Sequence, residues 1–373
     1  MPGRAMPRVM STLSQRLLDW FAIHKKPLPW RENNEPYRIW ISEVMLQQTQ
    51  RDRVGTYFRR FLERFPDVAS LAASREDDLL KLWEGLGYYS RARNLRKAAA
   101  IIIDEHGGSF PDSPEALLAL PGIGRYTAGA ILSIAYNKPE PIVDANVERV
   151  FARVFDLDLP VKDKTTSAFL WTKARELIPK DRAREFNQAV MELGSLVCLS
   201  RKPRCSTCPI QPHCEAYRLD IVLERPVPAK AKEYIPLEVA TGLLVHQGLI
   251  FVQKRPTEGV WAGLWEFPGG SIEAGETPEQ AVVREYQEET EFEVGDLEKI
   301  AVVRHGYTKY RVALHCYFCA LANGRREPVL HAAQESRWVR PEELASLAMP
   351  AGHRKLLDLL VRDLRFAERL RRP

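Results

Sequence analysis

The stretch "CLSRKPRCSTCPIQPHC", residues 198–214, decides how this chain is built. Cys198, Cys205, Cys208 and Cys214 follow the spacing C-x6-C-x2-C-x5-C. The opening "MPGRAMPRVMSTLSQRLLDW" lacks the apolar core of a secretion signal, and no apolar run approaches the roughly 18 residues of a membrane span. The protein is therefore expected to be soluble and intracellular, where disulfides are rare. Four thiolates on a compact Pro-rich loop can enclose zinc or a cubane iron–sulfur cluster. Structural zinc usually draws on two separated C-x2-C knuckles, and only one is present, but the spacing alone leaves both groups open. The remaining pair, Cys316 and Cys319, stands three residues apart on an apparent strand. Those side chains point to opposite faces and read as two buried thiols.

The texture of the chain differs on the two sides of this loop. Residues 11 to about 218 carry apolar residues at three- and four-residue intervals, as in "TLSQRLLDWFAIH" and "REDDLLKLWEGLGYY", which is a helical pattern. From residue 238 onward short β-rich runs take over, such as "VATGLLVHQGLIFVQKR" and "YRVALHCYFCALA". Between them "LERPVPAKAKEYIPL", 223–237, is rich in Pro and Lys and reads as a linker. With 373 residues, 45% of them hydrophobic, two domains are expected: an all-α domain over 10–222 and an α+β domain over 238–365. A net charge of +5 permits a nucleic-acid partner without requiring one.

"LPGIGRYTAGAILSIAY", 120–136, supplies a second signal. Gly122 and Gly124 leave the backbone bare where a helix opens, so main-chain N–H groups can meet a phosphate oxygen. The helical stretch "YRIWISEVMLQQTQ" has an apolar stripe of Tyr37, Trp40, Ile41, Val44 and Met45. Glu43 lies off that stripe, yet Ile39 and Leu46 are its helical neighbours. A helix apolar on both sides is buried, and burial raises a carboxyl pKa. "PIVDANVERVFARV" places Asp144 just before another helical run, as an N-cap that supplies a fixed anion. One acid that keeps its proton and one that keeps its charge is the division of labour of glycosidic cleavage.

The cysteine loop and the glycine hairpin together resemble the [4Fe–4S] loop and helix-hairpin-helix of the endonuclease-III superfamily. The ordered series "LPWR", "SEVMLQQTQ", "GLGYYSRARN", "LPGIGRYTAGA", "VDANVERV" and "FNQAVMELG", ending in the cysteine loop, is similar to adenine DNA glycosylases of the MutY type over about residues 10–220. This resemblance implies that Glu43 protonates adenine at N7 and later helps activate water. It makes Asp144 the partner of the sugar cation, with Tyr126 and Asn146 supporting the two carboxylates. Arg31 and Gln188 match positions that contact the extruded adenine, and Gln48 and Tyr88 match side chains wedged into the base stack. Gly122 and Gly124 become DNA-backbone contacts, and the four cysteines become ligands of a [4Fe–4S] cluster. Strand-nicking members of the superfamily carry a lysine after the hairpin to form a Schiff base. Here Tyr126 stands there, which implies a monofunctional enzyme.

"GGSIEAGETPEQAVVREYQEET", 269–290, matches the Nudix box at Gly270, Glu276, Arg284, Glu285, Glu288 and Glu289, although Glu291 replaces the glycine expected near its end. Thr277, Pro278 and Gln280 form a helix start with a capping box. Glu285, Glu288 and Glu289 share a helix face that could hold Mg2+ against a diphosphate. The resemblance implies instead a Nudix-like domain that reads 8-oxoguanine opposite the target adenine. Its lesion-reading loop resembles "HGYTKYRV", 305–312, where Thr308 keeps a hydroxyl able to bond the lesion.

The expected fold is thus multidomain: a helix-hairpin-helix glycosylase domain with an iron–sulfur loop, then a Nudix-like domain. The expected partner is double-stranded DNA with A:8-oxoguanine or A:G mispairs, acted on by a cytoplasmic, nucleoid-associated monomer in a bacterium. Three rivals are a thymine-specific glycosylase, a Nudix pyrophosphohydrolase with a DNA-binding appendage, and a non-catalytic iron–sulfur DNA sensor. The "SEVMLQQTQ" string and the C-terminal domain weigh against the first, and 200 residues of helix against the second. The sensor would have no need of Glu43 and Asp144.

Overall fold

Short polar side chains and prolines start the helices where the sequence places them. Asp67, Ser113, Asp144, Asp163 and Thr277 each accept a hydrogen bond from a backbone N–H in the first turn of the helix that follows. The computed structural model describes residues 6–228, 233–322 and 326–371, with backbone alone for residues 6–11. Residues 229–232 of the expected linker lie outside the described residues. Among the described residues, no helix is long and apolar enough to cross a membrane.

The chain divides into two compact units. One takes Met1–Ala73 and Asn94–Ala231, the other Ser74–Arg93 and Lys232–Pro373. The first unit is helical. Helices Met6–His24, Ala145–Val154, Lys164–Glu176 and Ala183–Leu196 share a core of Leu17, Phe21, Val150, Phe151, Leu170 and Leu193. A smaller cluster of Ile39, Ala130, Ile134 and Ile142 joins helix Pro36–Leu46 to the segment after the glycine hairpin. That segment is α-helical over Arg125–Ala130 and π-helical over Ile131–Ala135. A Cβ on Gly129 would sit 2.3 Å from the Pro141 carbonyl, so only glycine admits this approach.

The second unit contains helix Glu76–Trp83 and a seven-stranded sheet. Its strands are β1 (Ile235–His246), β2 (Leu249–Lys254), β3 (Trp265–Glu266), β4 (Gly269–Ser271), β5 (Val294–Tyr307), β6 (Tyr310–Leu321) and β7 (Glu335–Val339). The order runs β3-β2-β1-β6-β5, with β4 on β1 and β7 on β2. β1 and β6 are parallel and the other pairs antiparallel. Alternation along β1 sends Leu243 and Val245 to one face with helix Ala351–Leu360, and Ala240 and Leu244 to the other with helix Pro278–Thr290. Cys316 and Cys319 are fully buried in these two different clusters, one on each face, as their spacing predicts.

Candidate functional site

Helix Pro36–Leu46 is buried on nearly all sides, and Glu43 is 5% exposed within it. Burial pushes the Glu43 carboxyl up to about 7; the Tyr126 hydroxyl opposes that rise, Asp144 adds to it, and Arg31 pulls down. The Tyr126 hydroxyl donates to Glu43 Oε2. Tyr126 comes from the first turn of helix Arg125–Ala130, so the hairpin delivers the phenol to the carboxyl. Burial, and then Glu43, hold the phenol pKa well above its ordinary value, which keeps Tyr126 a donor.

Asp144 caps helix Ala145–Val154. Its Oδ1 accepts from the Val147 backbone N–H at 2.8 Å and its Oδ2 from Asn146 Nδ2 at 2.8 Å. Asn146 Oδ1 in turn accepts from Arg149 Nη2 at 2.8 Å, and the same nitrogen donates to the Gly194 carbonyl at 2.7 Å. Arg149 Nε donates to the Cys198 carbonyl at 2.8 Å, so a continuous set of hydrogen bonds runs from the capping carboxylate to the cysteine loop. A Cβ on Gly194 would lie 2.6 Å from Asn146 Cβ, so the glycine allows helix Ala183–Leu196 to touch this asparagine.

Arg31 belongs to the turn Pro29–Arg31 and donates to Glu192 Oε2 at 2.9 Å. Gln188, one turn before Glu192 on its helix, is half-buried and donates to the Arg184 carbonyl at 3.2 Å. Gly122 has φ +78° and lies where a Cβ would be 2.7 Å from Asn94 Cβ, whereas Gly124 faces open space. Gln48 is exposed with φ 58°. The structure therefore brings Glu43, Tyr126, Asp144, Asn146 and Arg31 into one region of the first unit, with Gln48 and the hairpin glycines at exposed turns of that unit.

Tyr88 and Thr308 are placed in the second unit. Tyr88 is 43% exposed with φ 48°. Thr308 is exposed with φ 49°, at the two-residue turn joining β5 to β6. Gln48, Tyr88 and Thr308 are three of eleven described non-glycine residues that hold the left-handed backbone, a strained conformation for residues with a Cβ.

The four cysteines line one cavity together with Arg153, Val197 and Tyr217. All are unpaired and half-buried. Burial pushes the Cys208 thiol up to about 12 and raises those of Cys205 and Cys214, so these groups would be thiolates at neutral pH only beside a cationic centre. Arg153, 1% exposed, aims Nη1 at Cys198 Sγ at 3.3 Å and binds the Leu199, Ser200 and Arg225 carbonyls. Among the described residues no three potential ligands gather as closely as those of one metal ion. The donor chemistry fits a group that takes four thiolates around a shared space.

In the second unit the box residues are mutually engaged. Arg284 binds Glu276 at 2.9 Å, Glu285 at 2.9 Å and Glu288 at 3.2 Å. Glu289 accepts from Gln253 Nε2 at 2.9 Å and from the Gly269 N–H at 3.1 Å, and burial, then nearby Glu266, push it up to about 7. Glu291 occupies a left-handed helix terminus with φ 56°. Sequence reasoning missed Glu192, Arg149 and Arg153. Their available signal was helical spacing: Glu192 follows Gln188 by four residues, and Arg149 and Arg153 are four apart on the helix that Asp144 opens.

Comparison with known proteins follows this division. Residues 41–175 match the HhH-GPD superfamily of base excision DNA repair proteins, and residues 240–359 match the NUDIX domain. The adenine DNA glycosylase of Buchnera aphidicola subsp. Baizongia pistaciae is 38% identical over 256 residues, covering 68% of this chain and 72% of that one. The Mus musculus adenine DNA glycosylase is 33% identical over 404 residues, covering 94% and 78%. Among solved structures, a thermostable thymine-DNA glycosylase superposes with TM-score 0.54 at 28% identity, over 58% of this chain and 100% of that one. A trapped endonuclease III–DNA covalent intermediate gives TM-score 0.50 at 24% identity, over 59% and 100%, a likeness of fold alone.

Proposed function

The chain belongs to the adenine DNA glycosylases, and on that premise we propose that it excises adenine mispaired with 8-oxoguanine or guanine and leaves the DNA backbone intact. Hydrolysis of a DNA N-glycosidic bond in base excision repair is the activity of the family. The observation that carries the finer reading is the buried Glu43–Tyr126 pair beside the Asp144 cap.

Glu43 holds a proton up to about pH 7 and passes it to N7 of the extruded adenine, turning a poor leaving group into a neutral one. The Tyr126 hydroxyl then donates to the carboxylate left behind. Asp144, its two oxygens fixed by Val147 and Asn146, presents a preorganised anion to the sugar cation, which water captures as it gives its proton to the Glu43 carboxylate. Arg31 and Gln188 contact the base. Gln48 and Tyr88 hold the gap that the flipped nucleotide leaves. Gly122 and Gly124 let the hairpin backbone approach a phosphate. With Tyr126 where an imine-forming lysine would stand, no amine is supplied there for a covalent attack on the sugar.

Cys198, Cys205, Cys208 and Cys214 would hold a [4Fe–4S] cluster, which ties the loop together when bound. The second unit reads 8-oxoguanine through the β5–β6 turn, where the exposed Thr308 hydroxyl recognises the altered edge. The protein acts as a monomer on double-stranded DNA in the cytoplasm.

The test is base release from A:8-oxoguanine, A:G and T:G duplexes side by side, with strand nicking scored before and after alkali. Release from the two adenine mispairs, with cleavage only after alkali, supports the reading. Release from T:G alone would sink the substrate assignment, and nicking without alkali the monofunctional one.

A further inference from the structure

We propose that Glu192 is a positioning residue of the adenine pocket, the single buried carboxylate on which both Arg31 and Arg51 are set. The inference rests on the adenine-excision reading above. Glu192 is 2% exposed on helix Ala183–Leu196, and two other segments of the first unit converge on it. Its Oε2 accepts from Arg31 Nη2 at 2.9 Å, and its Oε1 and Oε2 both accept from Arg51 Nη1 at 3.2 Å. Arg31 arrives from the turn Pro29–Arg31, and Arg51 from the first residue of helix Arg51–Arg64.

A carboxylate this buried stays in place only while its charge is met, and here two guanidiniums meet it. The reciprocal consequence matters more. Arg31 is held by Glu192, by the Lys26 carbonyl at 3.1 Å and by the Phe21 ring at 5.6 Å from its guanidinium carbon. It retains a 17% exposed side chain. Of these contacts only Glu192 is charged, so it fixes where the guanidinium points. Gln188, the other base-contacting candidate, sits one helical turn earlier on the same face as Glu192. The helix thus carries one residue toward the base and another that holds Arg31.

Glu192 also bears on the acid through Arg31. Two guanidiniums and one carboxylate leave one net positive charge, and Arg31 is among the groups acting on Glu43. Replacing the carboxylate by an amide leaves two uncompensated cations and favours ionised Glu43. Adenine release should then fail at a lower pH than in the unaltered protein.

The experiment is single-turnover adenine release by the full-length, cluster-loaded protein and its Glu192→Gln and Glu192→Asp variants across pH 5 to 9. DNA affinity and thermal midpoint are measured in parallel. Glu192→Gln should lower the rate by on the order of 100-fold, the scale of a misplaced contact group. It should move the alkaline limb to lower pH and leave duplex affinity within a few-fold. Glu192→Asp, which keeps the charge, should restore the position of the limb and part of the rate. An active unaltered protein alongside a Glu192→Gln variant of unchanged rate and profile would overturn the inference. So would an equal loss in both variants that tracks a fallen thermal midpoint. An unaltered protein that releases no adenine would overturn the functional reading itself.

Discussion

Glu43 is a carboxyl pulled in two directions, and each pull has a measurable consequence. Burial raises its pKa to about 7, while the hydrogen bond from Tyr126 stabilises the charged form and holds the rise back. A folded-state pKa above the unfolded value of roughly 4.3 means that the folded protein binds this proton more tightly. The group's contribution to stability is therefore full in acid and is lost as pH rises toward about 7. Catalysis needs the same protonated form, so single-turnover adenine release should decline above about pH 7. Tyr126→Phe removes the contact that favours the carboxylate and should move that decline to higher pH, read from the same rate profile. Glu43→Gln should cut release by roughly 10²–10⁴-fold while mispair binding persists, measured by rate and by gel shift. Unaltered turnover in that variant would exclude Glu43 as the acid. The burial of Glu43 was legible in sequence because Ile39 and Leu46 flank it on the helix. The tyrosine contact spans 83 residues, a range no local pattern shows, so only the family resemblance singles out Tyr126.

At the scale of elements, two helix ends carry most of the argument. Asp144 and the Thr277–Gln280 capping box were legible because N-caps are short-range hydrogen bonds between residues two or three apart. The meeting of helix Ala183–Leu196 with Asn146 was not, since it depends on Gly194 lacking a Cβ at a tertiary contact. Gly194→Ala places that atom 2.6 Å from Asn146 Cβ. It should cost about 1–3 kcal/mol in chemical denaturation, and lower adenine release further by shifting the asparagine that holds Asp144. A normal rate with normal stability would show that the two helices can separate freely. Glu291 is the converse case. The sequence departs from its box pattern there, and the structure gives the position φ 56°, where a side chain is strained. Glu291→Gly should stabilise the protein by about 1 kcal/mol, read as a raised denaturation midpoint. Loss of the Glu291–His331 pair at 3.0 Å subtracts little, because both side chains are exposed.

At the scale of the whole molecule, the order of motifs along the chain foretold a helical part and a β-rich part, but not that residues 74–93 cluster with the later one. Helical periodicity says that a segment is a helix and which face is apolar, not which core it joins. Within the second unit Asp77 pairs with Lys254 at 2.7 Å, Glu84 with Arg354 at 3.0 Å, and Tyr89 donates to the Met349 carbonyl at 3.3 Å. Truncation at the linker would strip these partners from a segment that includes Tyr88. Any loss of activity would then mix lesion reading with damage to residues assigned to base flipping. A substitution at the β5–β6 turn in the full chain avoids that confusion. Thr308→Ala deletes the hydroxyl and keeps the backbone constraint, while Thr308→Ser keeps the hydroxyl. One net hydrogen bond is worth about 1 kcal/mol, so Thr308→Ala should lower the preference for A:8-oxoguanine over A:G about fivefold. Thr308→Ser should preserve it. The measurement is the ratio of single-turnover efficiencies on the two mispairs. An equal loss on both in Thr308→Ala, or an unchanged ratio, would remove Thr308 as the reader of the lesion.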